Sequence, residues 1–210
     1  MICAVVLAAG RSERMGTQKL LLPLGGKPVI TRVVDALLES SVEQILVVVG
    51  RDGKLVQEAV RDREVQFVPN PDSSSDMLGS VRCGLRALPA GCEAVLVAMG
   101  DQPGISSELV NQLICSFGDD KSKIVVPAWE GHRGHPVLFS TRLCDEVLRR
   151  HDGSGLRGLL EAHPEKVFEL AVSDRAALGD MDTPADYQRQ KESFSTTITP
   201  ALVRPGARSG

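Results

Sequence analysis

The chain lacks an excess of either charge. Across 210 residues, 24 Lys and Arg stand against 27 Asp and Glu, a formal charge of -3. There is thus no broad basic field of the kind that holds nucleic acid without sequence preference, and any cationic site must be local. Long apolar runs are missing as well. The opening MICAVVLAAG is too short for a membrane span and has no basic residue before its apolar core, so it reads as a strand and not a signal peptide; no later segment reaches the length of a bilayer crossing. Cysteines are few and scattered: Cys3, Cys83, Cys92, Cys115 and Cys144 form no CxxC pair, which excludes a disulfide framework and a zinc knuckle. Each reads as a small buried hydrophobe, and a reducing cytoplasm is the expected location, with no membrane and no nucleic acid as partner. Internal repeats are absent too.

Two phosphate-binding patterns are also missing. A dinucleotide fingerprint needs GxGxxG at the first turn, whereas Gly10 is followed by RSERM and then Gly16. A P-loop needs GxxxxGK followed by Ser or Thr, and the nearest candidate, GGKP, ends in proline.

What is present is alternation. Short β-branched runs at Ile2 to Leu7, Gln44 to Val49, Val65 to Val68, Ala94 to Ala98, Ile124 to Val126, Val137 to Phe139 and Val167 to Val172 are separated by amphipathic stretches. The clearest of these are Pro28 to Glu39, Leu78 to Leu88 and Ser106 to Phe117. The pattern predicts βαβ units in a three-layer α/β/α architecture with a mostly parallel sheet. Pro28 suits a first helical turn, and Ser106 ahead of Glu108 and Leu109 suits an N-cap. Trp129 to Gly134 breaks into a polar, Gly-containing turn between two strands and reads as a hairpin or an excursion beyond the main sheet. Residues 1–192 are expected to form one domain; 193–210, without acidic residues or period, are expected to be a mobile tail.

In such sheets ligands sit beyond the carboxyl ends of the strands, where strand order reverses. The unusual polar segments fall in that register: AAGRSERMG after the first strand, NPDSSSD after the third, GDQPG after the fourth. Ala8, Ala9 and Gly10 present little side chain, which lets a nucleotide lie against the backbone and its N–H groups. Arg14 and Lys19 follow directly and can converge on phosphate oxygens. Arg11 and Lys27 fit a solvated face as well as they fit a ligand contact.

The stretch LAAGRSERMGTQKLLLPLGGKP at Leu7 to Pro28 resembles the signature of the nucleotidyltransferases that act on molybdenum cofactor. The resemblance continues through MLGSVRCGL at Met77 to Leu85, GDQP at Gly100 to Pro103, RGHPVLF at Arg133 to Phe139 and DMDTPADY at Asp180 to Tyr187. It implies a Rossmann-like nucleotidyltransferase fold and an enzyme that passes a nucleotidyl group from a nucleoside triphosphate to the terminal phosphate of molybdopterin, releasing pyrophosphate. Guanylyltransferases of that group read LAGG where this chain has LAAG, so the resemblance favours CTP over GTP. A molybdoenzyme would receive the product. A guanylyltransferase, a sugar- or alcohol-phosphate nucleotidyltransferase of the same fold, and a non-catalytic molybdenum cofactor carrier are the alternatives.

Attack on the α-phosphorus brings anions together, and each pair of unit charges ~4 Å apart repels by about 4 kcal/mol at an effective dielectric of roughly 20. Lys19 and Arg14 would offset part of this, and Mg²⁺ the rest. By resemblance Asp101 holds the magnesium, although an aspartate beside Gly and Pro can also simply cap a turn. The second carboxylate would be Asp180 or Asp182, with Asp182 the better motif match; Asp182 before Thr and Pro fits a helix N-cap too. Two hard oxygen ligands with phosphate oxygens and water suit Mg²⁺. No general base is required, because a phosphate monoester is largely dianionic at neutral pH. Leu7, Ala8, Ala9, Gly10, Ser80 and Asp101 are the implied nucleotide contacts, and Ser80 reads equally as an N-cap serine. Gln102, Gly134 and His135 are the implied pterin-side contacts. His132 and His135 have no nearby Cys or carboxylate partner that would make a zinc site, and His151 and His163 read as surface residues.

Overall fold

The computed structural model describes residues 1–10, 18–51, 53–72, 76–173, 178–179, 181 and 183–196. The strands are β1 (Ile2–Ala8), β2 (Pro23–Leu24), β3 (Lys27–Pro28), β4 (Gln44–Val49), β5 (Gln66–Pro69), β6 (Ala94–Met99), β7 (Ile124–Trp129), β8 (His132–Arg133), β9 (Val137–Ser140) and β10 (Val167–Ala171). The helices are α1 (Val29–Leu38), α2 (Lys54–Ala59), α3 (Met77–Arg86), α4 (Ser107–Phe117), α5 (Cys144–Arg149), α6 (Gly155–Ala162) and α7 (Pro184–Thr196). The main sheet runs β10-β7-β9-β6-β1-β4-β5, with β8 paired to β7. It is mostly parallel, as expected: only β9, between β6 and β7, and β8 pair in antiparallel fashion.

Both sheet faces are covered, which is why the central strands are apolar throughout rather than alternating. Ala4, Val6 and Ala8 of β1 share one cluster with Ile30, Val33 and Val34 of α1 and Leu109 and Leu113 of α4. Cys3, Val5 and Leu7 share the other with Leu78, Val81 and Leu85 of α3 and Leu156 and Leu159 of α6. Helix α3 lies so close to the sheet that a Cβ on Gly84 would stand 2.3 Å from Val5 Cγ1 and 3.2 Å from Val48 Cγ2. Gly84→Ala is therefore expected to lose up to about 2 kcal/mol in urea unfolding, because overpacking of ~1–3 kcal/mol outweighs a helix-propensity gain of ~1 kcal/mol. A midpoint at or above wild type would show that the helix can lift off freely.

The turn after β7 is a two-residue hairpin in which Glu130 and Gly131 have φ of 47° and 80° and Trp129 pairs with His132, a geometry whose twist matches that of the strands. A second hairpin joins β2 and β3 through Gly25 and Gly26, at φ of 54° and 82°. Helix α7 docks on it. Tyr187 donates to the Pro23 carbonyl at 2.6 Å, Phe194 lies 4.5 Å beneath the Arg32 guanidinium, and both rings pack around Leu24, Val29 and Met181. These contacts carry α7 to Thr196, four residues past the expected domain boundary at 192; residues 197–210 lie outside those described. Among the described residues no helix is long and apolar enough to cross a membrane.

Candidate active site

Strands β6, β1, β4 and β5 end together: Leu7 pairs with Met99, Ala8 with Val49, and Val49 with Pro69. The chain leaves β1 toward β4 and returns from β5 to β6, so strand order reverses between β1 and β6, and in open sheets ligands bind beyond the carboxyl ends at such a point. The site forms there.

After β6 the backbone turns tightly against β1. Gly100 N–H donates to the Leu7 carbonyl at 3.0 Å, and a Cβ on Gly100 would stand 2.9 Å from that oxygen and 3.1 Å from Ile30 Cδ1. Only glycine permits that approach, and it delivers Asp101 over the end of β1. Lys19 opens the short 3₁₀ turn Lys19–Leu21, which is anchored by Leu20 packed in the cluster around Ile30 and Ala8. Its ammonium pairs with Asp101 Oδ2, and the two side chains are only 15% and 7% exposed. A charge pair so shielded from water interacts far more strongly than one at the surface.

Around this pair lie the other expected contacts. Val137 opens β9 opposite Val97, which sets His135 level with the end of β6. Burial holds the His135 imidazole below its ordinary pKa, and the charge of Asp101 counters this only in part. Gly134 N–H donates to the Pro127 carbonyl at 2.9 Å, and a Cβ there would stand 2.7 Å from Leu178 Cδ2. Buried Gln102 reaches the Leu178 carbonyl at 3.5 Å. Gly134 and Gln102 thus meet the same residue, one that the sequence did not single out; a plain leucine in a loop carries no signal.

On the nucleotide side, Leu7 and Ala8 are buried, Ala9 is half-buried and Gly10 is exposed. Among the described residues nothing lies within 4 Å of where a Cβ on Gly10 would be. Ser80 does not cap α3. Asp76 does, its Oδ1 accepting from Gly79 N–H at 2.9 Å, which corrects the reading of Ser80 as an N-cap. Ser80 is buried in the first turn, where its hydroxyl accepts from Asn70 Nδ2 at 3.0 Å. Asn70 was missed by sequence reasoning, although its place directly after β5 in NPD was the available signal.

Several expectations are corrected or stand outside the described residues. Lys27 pairs with Asp35 at 2.7 Å, and Arg63 binds the same carboxylate at 3.0 Å. Lys27 therefore serves this surface cluster. His151 and His163 are not surface residues: each ring nitrogen Nε2 meets one oxygen of Glu146, at 3.0 and 2.8 Å. The His163 and His151 contacts hold the Glu146 carboxyl below its usual range. His132 is exposed and near the Glu130 carbonyl, and no group of three or more His, Cys, Asp or Glu suited to a metal occurs among the described residues. The start of α7 is capped by Thr183, which exchanges hydrogen bonds with Asp186: Thr183 N–H to Oδ2 at 2.8 Å and Asp186 N–H to the Thr183 hydroxyl at 3.2 Å. The N-cap role considered for Asp182 thus belongs to Thr183. Arg11, Arg14, Asp180 and Asp182 themselves lie outside the described residues.

The chain and its fold have counterparts among known proteins. The family of MobA-like NTP transferase domains matches residues 4–167, and the chain belongs to that family. It is a nucleotidyltransferase. The chain is similar to molybdenum cofactor cytidylyltransferase of Escherichia coli, with 25% identity over 92% of this chain and 97% of that protein. It is also similar to nicotine blue oxidoreductase of Paenarthrobacter nicotinovorans, with 29% identity over 90% and 95%. Among solved structures, a nucleotidyl transferase from Methanothermobacter thermautotroptrophicus superposes with a TM-score of 0.84 at 31% identity, covering 94% of this chain and 99% of that one. A Mycobacterium tuberculosis protein, Rv0371c, in complex with manganese superposes at 0.77 with 28% identity, covering 91% and 98%.

Proposed function

We propose that the protein is a divalent-metal-dependent cytidylyltransferase that moves CMP from CTP onto the terminal phosphate of molybdopterin. The observation that carries this reading is the pairing of Lys19 with Asp101 at the sheet's switch point, with Gln102 and His135 alongside. The likeness to the E. coli cytidylyltransferase over nearly the whole chain and the LAAG sequence at Leu7 to Gly10 support the choice of nucleotide and acceptor. The manganese complex of the mycobacterial relative supports a divalent ion.

Asp101 fits such an ion: it is a buried hard oxygen donor, and Mg²⁺ takes one or two carboxylates and leaves the rest of its shell to phosphate oxygens and water. Asp182, or in its place Asp180, would supply the second carboxylate. When bound, the ion would neutralise charge on the triphosphate. A phosphate oxygen of the acceptor attacks the α-phosphorus, the bond from that phosphorus to the bridging oxygen of the β-phosphate breaks, and pyrophosphate leaves with the electron pair. Lys19 and Arg14 stabilise the charge that accumulates on the departing group. Backbone at Ala8, Ala9 and Gly10 carries the nucleoside, and Gln102, Gly134 and His135 orient the acceptor. His135, kept neutral by burial, offers one ring nitrogen as donor and the other as acceptor.

The test is pyrophosphate release with each of the four nucleoside triphosphates, with and without molybdopterin. Release with CTP and molybdopterin together is expected. Preference for GTP, or for a sugar phosphate acceptor, would replace the finer assignment, and cofactor binding without pyrophosphate release would favour a carrier.

A further inference from the structure

We propose that Asn70 determines nucleotide specificity by position: it fixes the Ser80 hydroxyl as a hydrogen-bond donor toward the nucleotide base, favouring a cytosine edge over a guanine edge. The inference rests on the reading of Ser80 as a base contact and adds the residue that sets its polarity.

Asn70 is 5% exposed, and its contacts fix its orientation. Its backbone N–H donates to the Val49 carbonyl at 2.8 Å, extending the pairing of β5 with β4. Its Oδ1 accepts from Asp72 N–H at 3.1 Å. Since a backbone N–H can only donate, that contact fixes which end of the amide is oxygen, and the amide nitrogen must face Ser80. Ser80 Oγ therefore receives a proton from Asn70 at 3.0 Å and keeps its own to give away. A hydroxyl normally rotates to suit either kind of partner; here one role is already taken.

That polarity distinguishes the bases. The pairing edge of cytosine carries two acceptors, O2 and N3, beside one amino group. Guanine offers two donors, N1–H and the 2-amino group, and a single acceptor, O6. A site obliged to donate gains from the first and leaves donors facing one another with the second, and such mismatches in a desolvated site are what give polar specificity its strength. Other contacts also carry the local fold: Asp76 caps α3, the backbone of Asn70 extends the strand pairing, and Asn70 Oδ1 accepts from Asp72 N–H.

The test measures CTP and GTP dissociation constants by calorimetry, and KM and kcat where turnover is seen, for Ser80→Ala, Asn70→Ala, Asn70→Asp and Asn70→Ala/Ser80→Ala. Asn70→Asp is the decisive variant. It preserves shape and still accepts from Asp72 N–H, but its second oxygen takes the Ser80 proton and turns the hydroxyl into an acceptor. CTP binding should weaken about 5- to 10-fold in Ser80→Ala and Asn70→Asp, with the loss read in Kd and KM. The CTP-to-GTP preference should fall further in Asn70→Asp than in Asn70→Ala. The double variant should be no worse than Ser80→Ala, because both substitutions remove one interaction. Unchanged CTP affinity and preference in both Asn70 variants, with Ser80→Ala impaired, would overturn the proposal while leaving Ser80 as a base contact. Equal losses for CTP and GTP, accompanied by a lowered melting temperature, would reduce Asn70 to a structural role and overturn it too. Unchanged binding in Ser80→Ala would instead remove the base contact itself.

Discussion

Asp101→Asn is expected to cut pyrophosphate release by about 10²- to 10³-fold, the scale seen when one fixed electrostatic contact to a transition state is removed. The carboxylate is the only part of the residue that changes, and it is the group that Lys19 pairs with and that the proposed metal would use. Asparagine keeps the shape of the Gly100 to Gln102 turn, so the backbone geometry against Leu7 remains. Lys19 loses its counter-charge, but with 15% of its side chain exposed and a flexible four-carbon stem, it can carry the ammonium toward water. The variant should therefore fold, which circular dichroism checks, and should fail to hold Mn²⁺ in the presence of CTP by electron paramagnetic resonance. Full turnover in a folded Asp101→Asn protein would refute the metal assignment.

Much of this site could be read before any coordinates, because the rule linking ligands to strand ends is a rule about chain order. Gly10, Asn70 and Asp101 each follow a β-branched run, and the runs were recognisable by composition. What could not be read was adjacency. Lys19 and Asp101 are 82 positions apart, and they meet because β6 pairs with β1 rather than with β5; that choice is made by which helices cover which face. The same reason hid the partners of His151 and His163. Both rings reach Glu146 of α5 from outside the helices, His151 from the loop after α5, where it adopts φ of 70°, and His163 from the end of α6. Ser80 was read as a possible cap because SSSD offers several residues able to cap, and local sequence does not say which of them the helix starts after. Of helix α7 only the start was legible, as a cap before Thr183 and Pro184; its described apolar contacts are Tyr187 and Phe194, two turns apart, with meaning only once the β2–β3 hairpin is present to receive them.

Lys19→Met is expected to move two measurements in opposite directions. Methionine keeps the length of the unbranched stem and the anchoring of the turn by Leu20, and deletes the charge. Turnover should fall by about 10²- to 10³-fold, because charge moving onto pyrophosphate loses a preorganised cation. Binding of Mn²⁺ alone, without nucleotide, should instead become at least about 10-fold tighter. In the native protein the metal must displace an ammonium already seated on Asp101, and a unit pair ~4 Å apart is worth about 4 kcal/mol at an effective dielectric of roughly 20, which sets the ceiling on that competition. The same change leaves Asp101 a shielded carboxylate without its lysine, so the melting temperature should drop in metal-free buffer and recover more with Mn²⁺ than wild type gains. General damage to the fold would lower both turnover and metal affinity, whereas a lysine that merely decorates the surface would change neither. Only a lysine that shares Asp101 with the metal, and gives it up when a triphosphate draws the ammonium away, separates the two.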